Sequence, residues 1–255
     1  VQKGEHITVY GDYDVDGVTS ASVLCLFFRD VFKYELDVYI PHRLKEGYGL
    51  NQSALSTLSE RGTKVLVTVD NGSSAIEEVA FAKDHGMDVV IIDHHQVSDP
   101  EPAAFAHLNP HRHGCKFPYK GLAAVGVAFL LLVEKRRQLR HDPTYAGPVP
   151  RPDHYLVLVA LGTVADLAPL TELNRALVRY GLGVMRRQPR LGVQALLHST
   201  KTEIETLNAS DLGYRLGPRI NAAGRLDDAS RGFRLLTGQD GPRARELATL
   251  IEAQN

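Results

Sequence analysis

The chain has 255 residues, 44% of them hydrophobic and 23% charged, an ordinary globular composition that excludes global disorder and fits one large domain, or one domain with a small lobe. A formal net charge of -1 and a pI near 6.9 exclude a uniformly basic nucleic-acid binder, so any grip on a polyanion has to come from locally concentrated cations. Cys25 and Cys115 are too few and too far apart for a disulfide framework, which fits a reducing cytoplasm, and no stretch reaches the ~18 apolar residues of a membrane span.

The chain opens on Val1-Gln2-Lys3-Gly4, with neither an initiator Met nor a signal peptide, and is expected to be a trimmed or excised piece. Residues 6–10 (His-Ile-Thr-Val-Tyr) form a β-branched run that reads as a strand, and residues 17–31 are apolar at helical spacing. Residues 35–40 alternate like a strand and stop at Pro41. Residues 50–61 read as a helix closed by Gly62. Residues 64–69 (Lys-Val-Leu-Val-Thr-Val) and 87–92 (Met-Asp-Val-Val-Ile-Ile) are further strands, separated by a helix over residues 74–85 that Gly86 ends. Val/Ile runs alternating with helices predict a doubly wound, mainly parallel α/β sheet covered on both faces.

Beyond Pro110 the pattern turns helical, and a helical lobe is expected to follow the sheet. Residues 121–139 predict a long helix that turns from apolar to basic. Residues 141–152, with Pro143, Pro148, Pro150 and Pro152, predict a loop. Residues 153–165 predict an apolar helix with Asp153 as its N-cap, and residues 172–187 and 242–255 predict further helices. The expected organisation is an α/β metal-binding sheet over residues 1–110, a helical part of the same domain over 111–240, and the start of a linking helix to a further domain over 241–255.

The chemistry concentrates in acidic clusters whose positions matter more than their number. Gly11-Asp12-Tyr13-Asp14-Val15-Asp16-Gly17 follows the first strand, Asp70-Asn71-Gly72 the third and Asp93-His94-His95 the fourth. Each lies at the carboxyl end of an expected parallel strand, the edge where doubly wound sheets bind ligands. Val164-Ala165-Asp166 ends an apolar helix, an odd place for an acid unless a cation meets it. Taken singly, each cluster also reads as a turn or a helix cap, because Asp and Gly favour both. A calcium loop starting at Asp12 fails, since its twelfth position is Val23 rather than Glu. Packed together, the carboxylates repel and call for cations. Oxygen ligands with imidazole suit Mn²⁺ or Mg²⁺, and more candidate ligands than one ion needs point to two ions, the arrangement that serves phosphoryl hydrolysis.

Asp14-x-Asp16-Gly17, Asp70-Asn71-Gly72, Asp93-His94-His95 and Val164-Ala165-Asp166 resemble, in order and spacing, the motifs of the DHH phosphoesterases. The first cluster, Pro41-His42-Arg43-x-x-Glu46-Gly47-Tyr48-Gly49 and Gly217-Pro218-Arg219-Ile220-Asn221-Ala222-Ala223-Gly224-Arg225-Leu226 resemble the single-strand exonuclease branch of that family. The resemblance implies a metal-dependent nuclease cutting single-stranded DNA 5′ to 3′ in repair and recombination. Short oligonucleotides or cyclic dinucleotides are alternative substrates, and a non-catalytic DNA-binding relative is the alternative class. It implies Asp14 and Asp16 as first-motif ligands, Asp70 as the carboxylate shared by both ions, His94 and Asp166 as ligands of the second ion, and His95 as the histidine on the scissile phosphate. Asp12 is a further ligand or support, and Asp93 orients an imidazole. Tyr10 stands where the family often has a histidine ligand, which weakens the expected hold on the first ion.

For substrate grip, Arg43 lies just past the second strand, and Arg219, Asn221 and Arg225 sit in a Gly/Pro-punctuated stretch expected to be a loop; all four are expected phosphate contacts. Solvated arginine–aspartate pairs on a helix face are the competing account of that stretch. A single-strand-binding protein and a helicase are partners that the resemblance implies, with no membrane and a cytoplasmic location.

Overall fold

The computed structural model describes residues 4–224 and 230–254. The sheet half runs β1 (Ile7–Gly11), α1 (Val15–Phe32), β2 (Asp37–Tyr39), α2 (Arg43–Glu46), α3 (Gln52–Glu60), β3 (Val65–Val69), α4 (Ile76–Asp84), β4 (Asp88–Ile92) and β5 (Ala106–Leu108). The helical half runs α5 (Ala124–His141), a 3₁₀ turn (Pro152–Tyr155), α6 (Leu156–Ala165), α7 (Glu172–Arg187), α8 (Leu191–Ser199), α9 (Ala209–Asp211), a π turn (Leu212–Leu216), α10 (Gly217–Ala223), α11 (Arg231–Thr237) and α12 (Gly241–Glu252).

The strands pair in parallel in the order β2-β1-β3-β4-β5, so strand order reverses beside β1 and opens a crevice between β1 and β3. Register levels the strand ends: Gly11 pairs with Val69, Val69 with Ile92, and Ile92 with Leu108. Asp12, Asp70, Asp93 and Asn109, each the next residue, therefore leave the sheet in one row along a single edge.

Side-chain alternation along β1 sends Val9 into a core shared with α1, α5 and α6, and Tyr10 into a second core with Leu55 of α3 and Val79 of α4 on the opposite face. Tyr10 is fully buried there; its hydroxyl donates to the Gly49 carbonyl and its ring stacks on Tyr39. The residue that stands where a first-metal ligand was expected is thus packed into the second core, near enough to Asp12 for that carboxylate to help raise its hydroxyl, after burial, Tyr39 and Glu46.

Helix α6 packs against α1 because Gly162 has no side chain: a Cβ there would stand 2.2 Å from Thr19 Oγ1 and 3.2 Å from Asp16 Oδ1. That close approach carries Asp166, at the C-terminal end of α6, to the sheet edge. The C-terminal helix α12 buries Ala244, Leu247, Ala248 and Ile251 and packs on α8. Among the described residues, no helix is long and apolar enough to cross a membrane.

Three local expectations are corrected. Asp153 does not cap α6: it lies in the 3₁₀ turn and pairs with Arg151 at 3.2 Å. Residues 217–223 form α10 rather than a loop, because Pro218 sits in the first helical turn, where its missing N–H costs no bond. Strand β5 was not expected, since three residues carry too little pattern to be read alone.

Candidate metal centre at the sheet switch point

Three overlapping groups of ligand atoms gather at the crevice: Asp12, Asp14 and Asp70; Asp70, His94 and His95; and Asp16, His94 and Asp166. Within each group the atoms lie inside 4.8 Å of one another. Every metal-ligand residue expected from the sequence is present in one of these groups. Asp14 and Asp16 stand at the start of a helix, where neighbours two apart face different directions, so Asp16 lies with His94 and Asp166 while Asp14 lies with Asp12 and Asp70.

Local structure fixes each carboxylate. Asp14 caps α1, accepting from the Gly17 N–H at 3.0 Å. Asp16 is buried and accepts from the Ala124 and Val125 N–H groups at 2.6 and 3.0 Å, so it also holds the N-terminus of α5. Asp70 has a left-handed backbone, φ 64°, that turns its side chain into the crevice. His94 Nε2 is 3.2 Å from Asp70 Oδ1, 3.8 Å from Asp16 Oδ2 and 3.9 Å from Asp166 Oδ1.

The buried atoms Asp12 Oδ1, Asp70 Oδ1 and His94 Nε2 make no hydrogen bond. Such atoms normally find a partner. Burial, then Asp14, pushes the Asp12 carboxyl up to about 7. Burial, with Asp14 again next, pushes Asp166 up to about 7. Burial, and after it Asp166 beside Asp16 and Asp16 beside Asp70, raises Asp16 and Asp70 well above the usual carboxylate range. Burial also lowers His94 to about 4, so its imidazole is neutral and offers a lone pair. Orphaned donor atoms on mutually repelling acids, beside a neutral imidazole, are the donor set a pair of hard or borderline divalent ions would satisfy.

His95 stands at the mouth, its side chain 46% exposed. Its Nδ1 bonds Asp93 Oδ1 at 2.8 Å, and that bond raises the imidazole above its ordinary value. Burial opposes ionisation of Asp93, yet hydrogen bonds from His95 and Ser73 outweigh it and hold Asp93 well below the usual range. The Tyr48 hydroxyl donates to the Asp70 carbonyl at 3.1 Å and lies 3.3 Å from His95 Nδ1.

Behind this pair is a scaffold that sequence reading missed. The Ser73 N–H donates to Asp93 Oδ2 at 3.0 Å, and Ser73 Oγ meets His107 Nε2 at 3.0 Å. Asn109 Nδ2 bridges Ser73 Oγ at 2.7 Å and the His95 carbonyl at 2.8 Å. Burial, then Arg112, holds His107 below its ordinary value. His107 lies in β5 and Asn109 directly follows it, so the signal that could have found them was a fourth parallel strand end.

The expected phosphate contacts divide. The Arg43 guanidinium sits 5.0 Å over the Tyr13 ring, next to the first cluster. Asn221 Oδ1 accepts from the Val15 N–H at 3.1 Å and so pins the start of α1. Arg219 is committed elsewhere: its guanidinium meets Glu252 of α12 at 2.8 and 3.0 Å and donates to the Arg215 carbonyl at 3.1 Å. Helical geometry turns it to that partner. Arg225 lies outside the described residues.

These features define a doubly wound α/β protein with a candidate two-metal centre at its switch point. The chain belongs to the DHH family: the model of the DHH family N-terminal domain matches residues 6–163. It is 40% identical over its full length to the single-stranded-DNA-specific exonuclease RecJ of Bacillus subtilis, covering 31% of that protein. It is 42% identical over its full length to the protein of that name from Escherichia coli, covering 45% of it. A crystal structure of exonuclease RecJ bound to manganese superposes with a TM-score of 0.86 at 31% identity, over 100% of this chain and 62% of that one. The chain thus spans less than half the length of these curated relatives.

Proposed function

We propose that this chain is the catalytic lobe of a Mn²⁺- or Mg²⁺-dependent phosphodiesterase that degrades single-stranded DNA from the 5′ end. The observation that carries the reading is the set of overlapping ligand groups, in which Asp70 and His94 each belong to two. Manganese in the similar exonuclease structure and the activity named for the relatives support the metal and the substrate.

Asp12, Asp14 and Asp70 would hold one ion and Asp16, His94 and Asp166 the other; Asp70, whose Oδ1 lies 3.2 Å from His94 Nε2, would serve both. When bound, such ions activate water and neutralise charge developing on the phosphate. The chain's own residues do the rest. His95, made more basic by Asp93 and set at the open mouth, would donate to a non-bridging oxygen of the scissile phosphate. Tyr48 restrains the backbone of Asp70 and faces the His95 ring, so both stay aimed at one point. Arg43 beside Tyr13 would hold a neighbouring phosphate. Service in repair and recombination, a cytoplasmic location, and partnership with a single-strand-binding protein and a helicase belong to the same proposal.

Incubating the chain with Mn²⁺ and a 20-nucleotide single strand labelled at either end tests it. Labelled mononucleotide should appear first from the 5′ label, and blunt duplex should stay intact. Hydrolysis of dinucleotides with the 20-mer untouched would move the substrate to short oligonucleotides, and no hydrolysis at any Mn²⁺ concentration would leave a binding protein.

The scaffold gives a second test. Outer partners of a site typically matter by about 10- to 100-fold, and His107→Ala should slow turnover by that order. Mn²⁺ affinity should not change, and His107→Gln, whose amide still reaches Ser73, should restore much of the rate. An unaltered rate in His107→Ala would show that Asp93 orients His95 unaided.

A further inference from the structure

Near the C-terminus arginines are largely spent on carboxylates: Arg215 on Asp211, Arg219, an expected phosphate contact, on Glu252, and Arg243 on Glu246. Cations without an ion pair or hydrogen bond stand elsewhere. On α7, Arg175 and Arg179 have neither among the described residues, although Glu172 lies within a turn of Arg175. They are one helical turn apart and line one groove of about 350 Å³ with Leu170, Val178 and Leu182; Arg186, also there, is engaged with the Leu207 carbonyl.

Leu170 is shared with a second groove of about 300 Å³, which Val164, Leu167, Gly213 and Tyr214 also line. This one is apolar and open. Leu167 is 88% exposed and Tyr214 81% exposed. Leu167 also holds a left-handed backbone, φ 60°, which an L-residue with a branched side chain adopts only at an energetic cost. Tyr214 projects from the π turn, a distortion that re-aims side chains and often marks functional positions. Leu167 directly follows Asp166, so the apolar groove begins one residue past a member of the metal cluster, and Leu170 joins it to the arginine groove.

We propose that these joined grooves are the track for the single strand beyond the scissile phosphate. Leu167 and Tyr214 receive nucleobases, and Arg175 and Arg179 hold backbone phosphates. An apolar platform with an exposed aromatic, continued by free guanidiniums, matches the two recurrent needs of a single strand, stacking and charge. It also resolves the near-neutral net charge, since the local cations lie where the strand would run. The inference rests on the reading of the chain as a single-strand nuclease and names where that strand lies.

Fluorescence anisotropy in EDTA, where turnover is blocked, tests it with labelled dT4 and dT20. For Arg175→Ala/Arg179→Ala, affinity for dT20 should fall about tenfold or more, with a far smaller change for dT4. The dependence of log K on log salt should flatten by ~1.4, two contacts at ~0.7 each. Tyr214→Ala should weaken dT20 about fivefold without altering the salt slope, the signature of lost stacking. An unchanged dT20 affinity, equal losses on both strands, or a wild-type chain that does not bind dT20 would overturn the proposal. Protection of the groove by another part of a longer protein, with DNA binding indifferent to the arginines, would overturn it too. A chain that grips dT20 through these arginines yet hydrolyses nothing keeps the track and refutes the nuclease reading; hydrolysis indifferent to them does the reverse.

Discussion

Asp70→Asn is expected to lower Mn²⁺-dependent hydrolysis by at least ~10³-fold, about 4 kcal/mol of transition-state stabilisation, while the fold stands. Asp70 is the carboxylate common to the Asp12–Asp14 group and the His94–His95 group, so losing its charge strips a ligand from two positions at once. Asparagine is the right replacement because φ is 64° there, a region that Asp and Asn tolerate better than alanine. The buried Asp70 carboxyl is raised by burial and then by Asp16, so removing it relieves repulsion in the metal-free chain. Thermal melts in EDTA should therefore place the variant at or above the wild type. Added Mn²⁺ should then stabilise the wild type by more, with ~2.7 kcal/mol expected at a hundredfold excess over Kd. Ordinary turnover in Asp70→Asn would end the two-ion assignment.

The metal-free chain should lose stability as pH rises from 6.5 to 8, and Mn²⁺ should abolish most of that loss. The ordinary carboxylate value is 3.8, whereas Asp12 and Asp166 reach about 7 in the fold. Between those values the folded chain holds protons that the unfolded chain has released. Stability falls with pH wherever the folded state binds more protons, so this contribution is complete below 3.8 and gone above about 7. His95, raised by Asp93, acts in the same direction above its ordinary 6.5. His94 opposes: it is lowered from 6.5 to about 4, so it gains stability with rising pH only below 6.5. Above that point the carboxylates stand unopposed, and the loss should be on the order of 1–3 kcal/mol. Because an ion competes with the same protons, the half-saturating Mn²⁺ concentration should drop over this interval. Melting temperatures in EDTA and in Mn²⁺ at pH 6.5 and 8 decide it; an EDTA melting point that climbs with pH would show that the acids are not held together as described.

Sequence reading reached most of the sheet because each strand is a short Val/Ile run between helices, and such patterns are set by neighbours along the chain. It failed where the pattern was brief or the partner distant. Strand β5 has three residues, so the scaffold it carries, His107 and then Asn109, went unread. Arg219 sits in a stretch that reads as a loop, yet it folds into a helix whose outward face meets Glu252. Tyr10 stands where a histidine ligand was expected, and only the packing shows what it does there: it fills the core under α3 and α4.

The amino-acid order by itself determined that acids and histidines leave successive strands at one edge, because strand period and turn chemistry are local. Only the tertiary structure decided which of them share an ion position, since that depends on contacts between residues far apart in the chain. Asp16 is steered by the start of a helix 108 residues away, and the first turn of α1 is pinned by Asn221 across 206 residues. Packing at Gly162 likewise brings Asp166 to the cluster, and no local pattern encodes that approach.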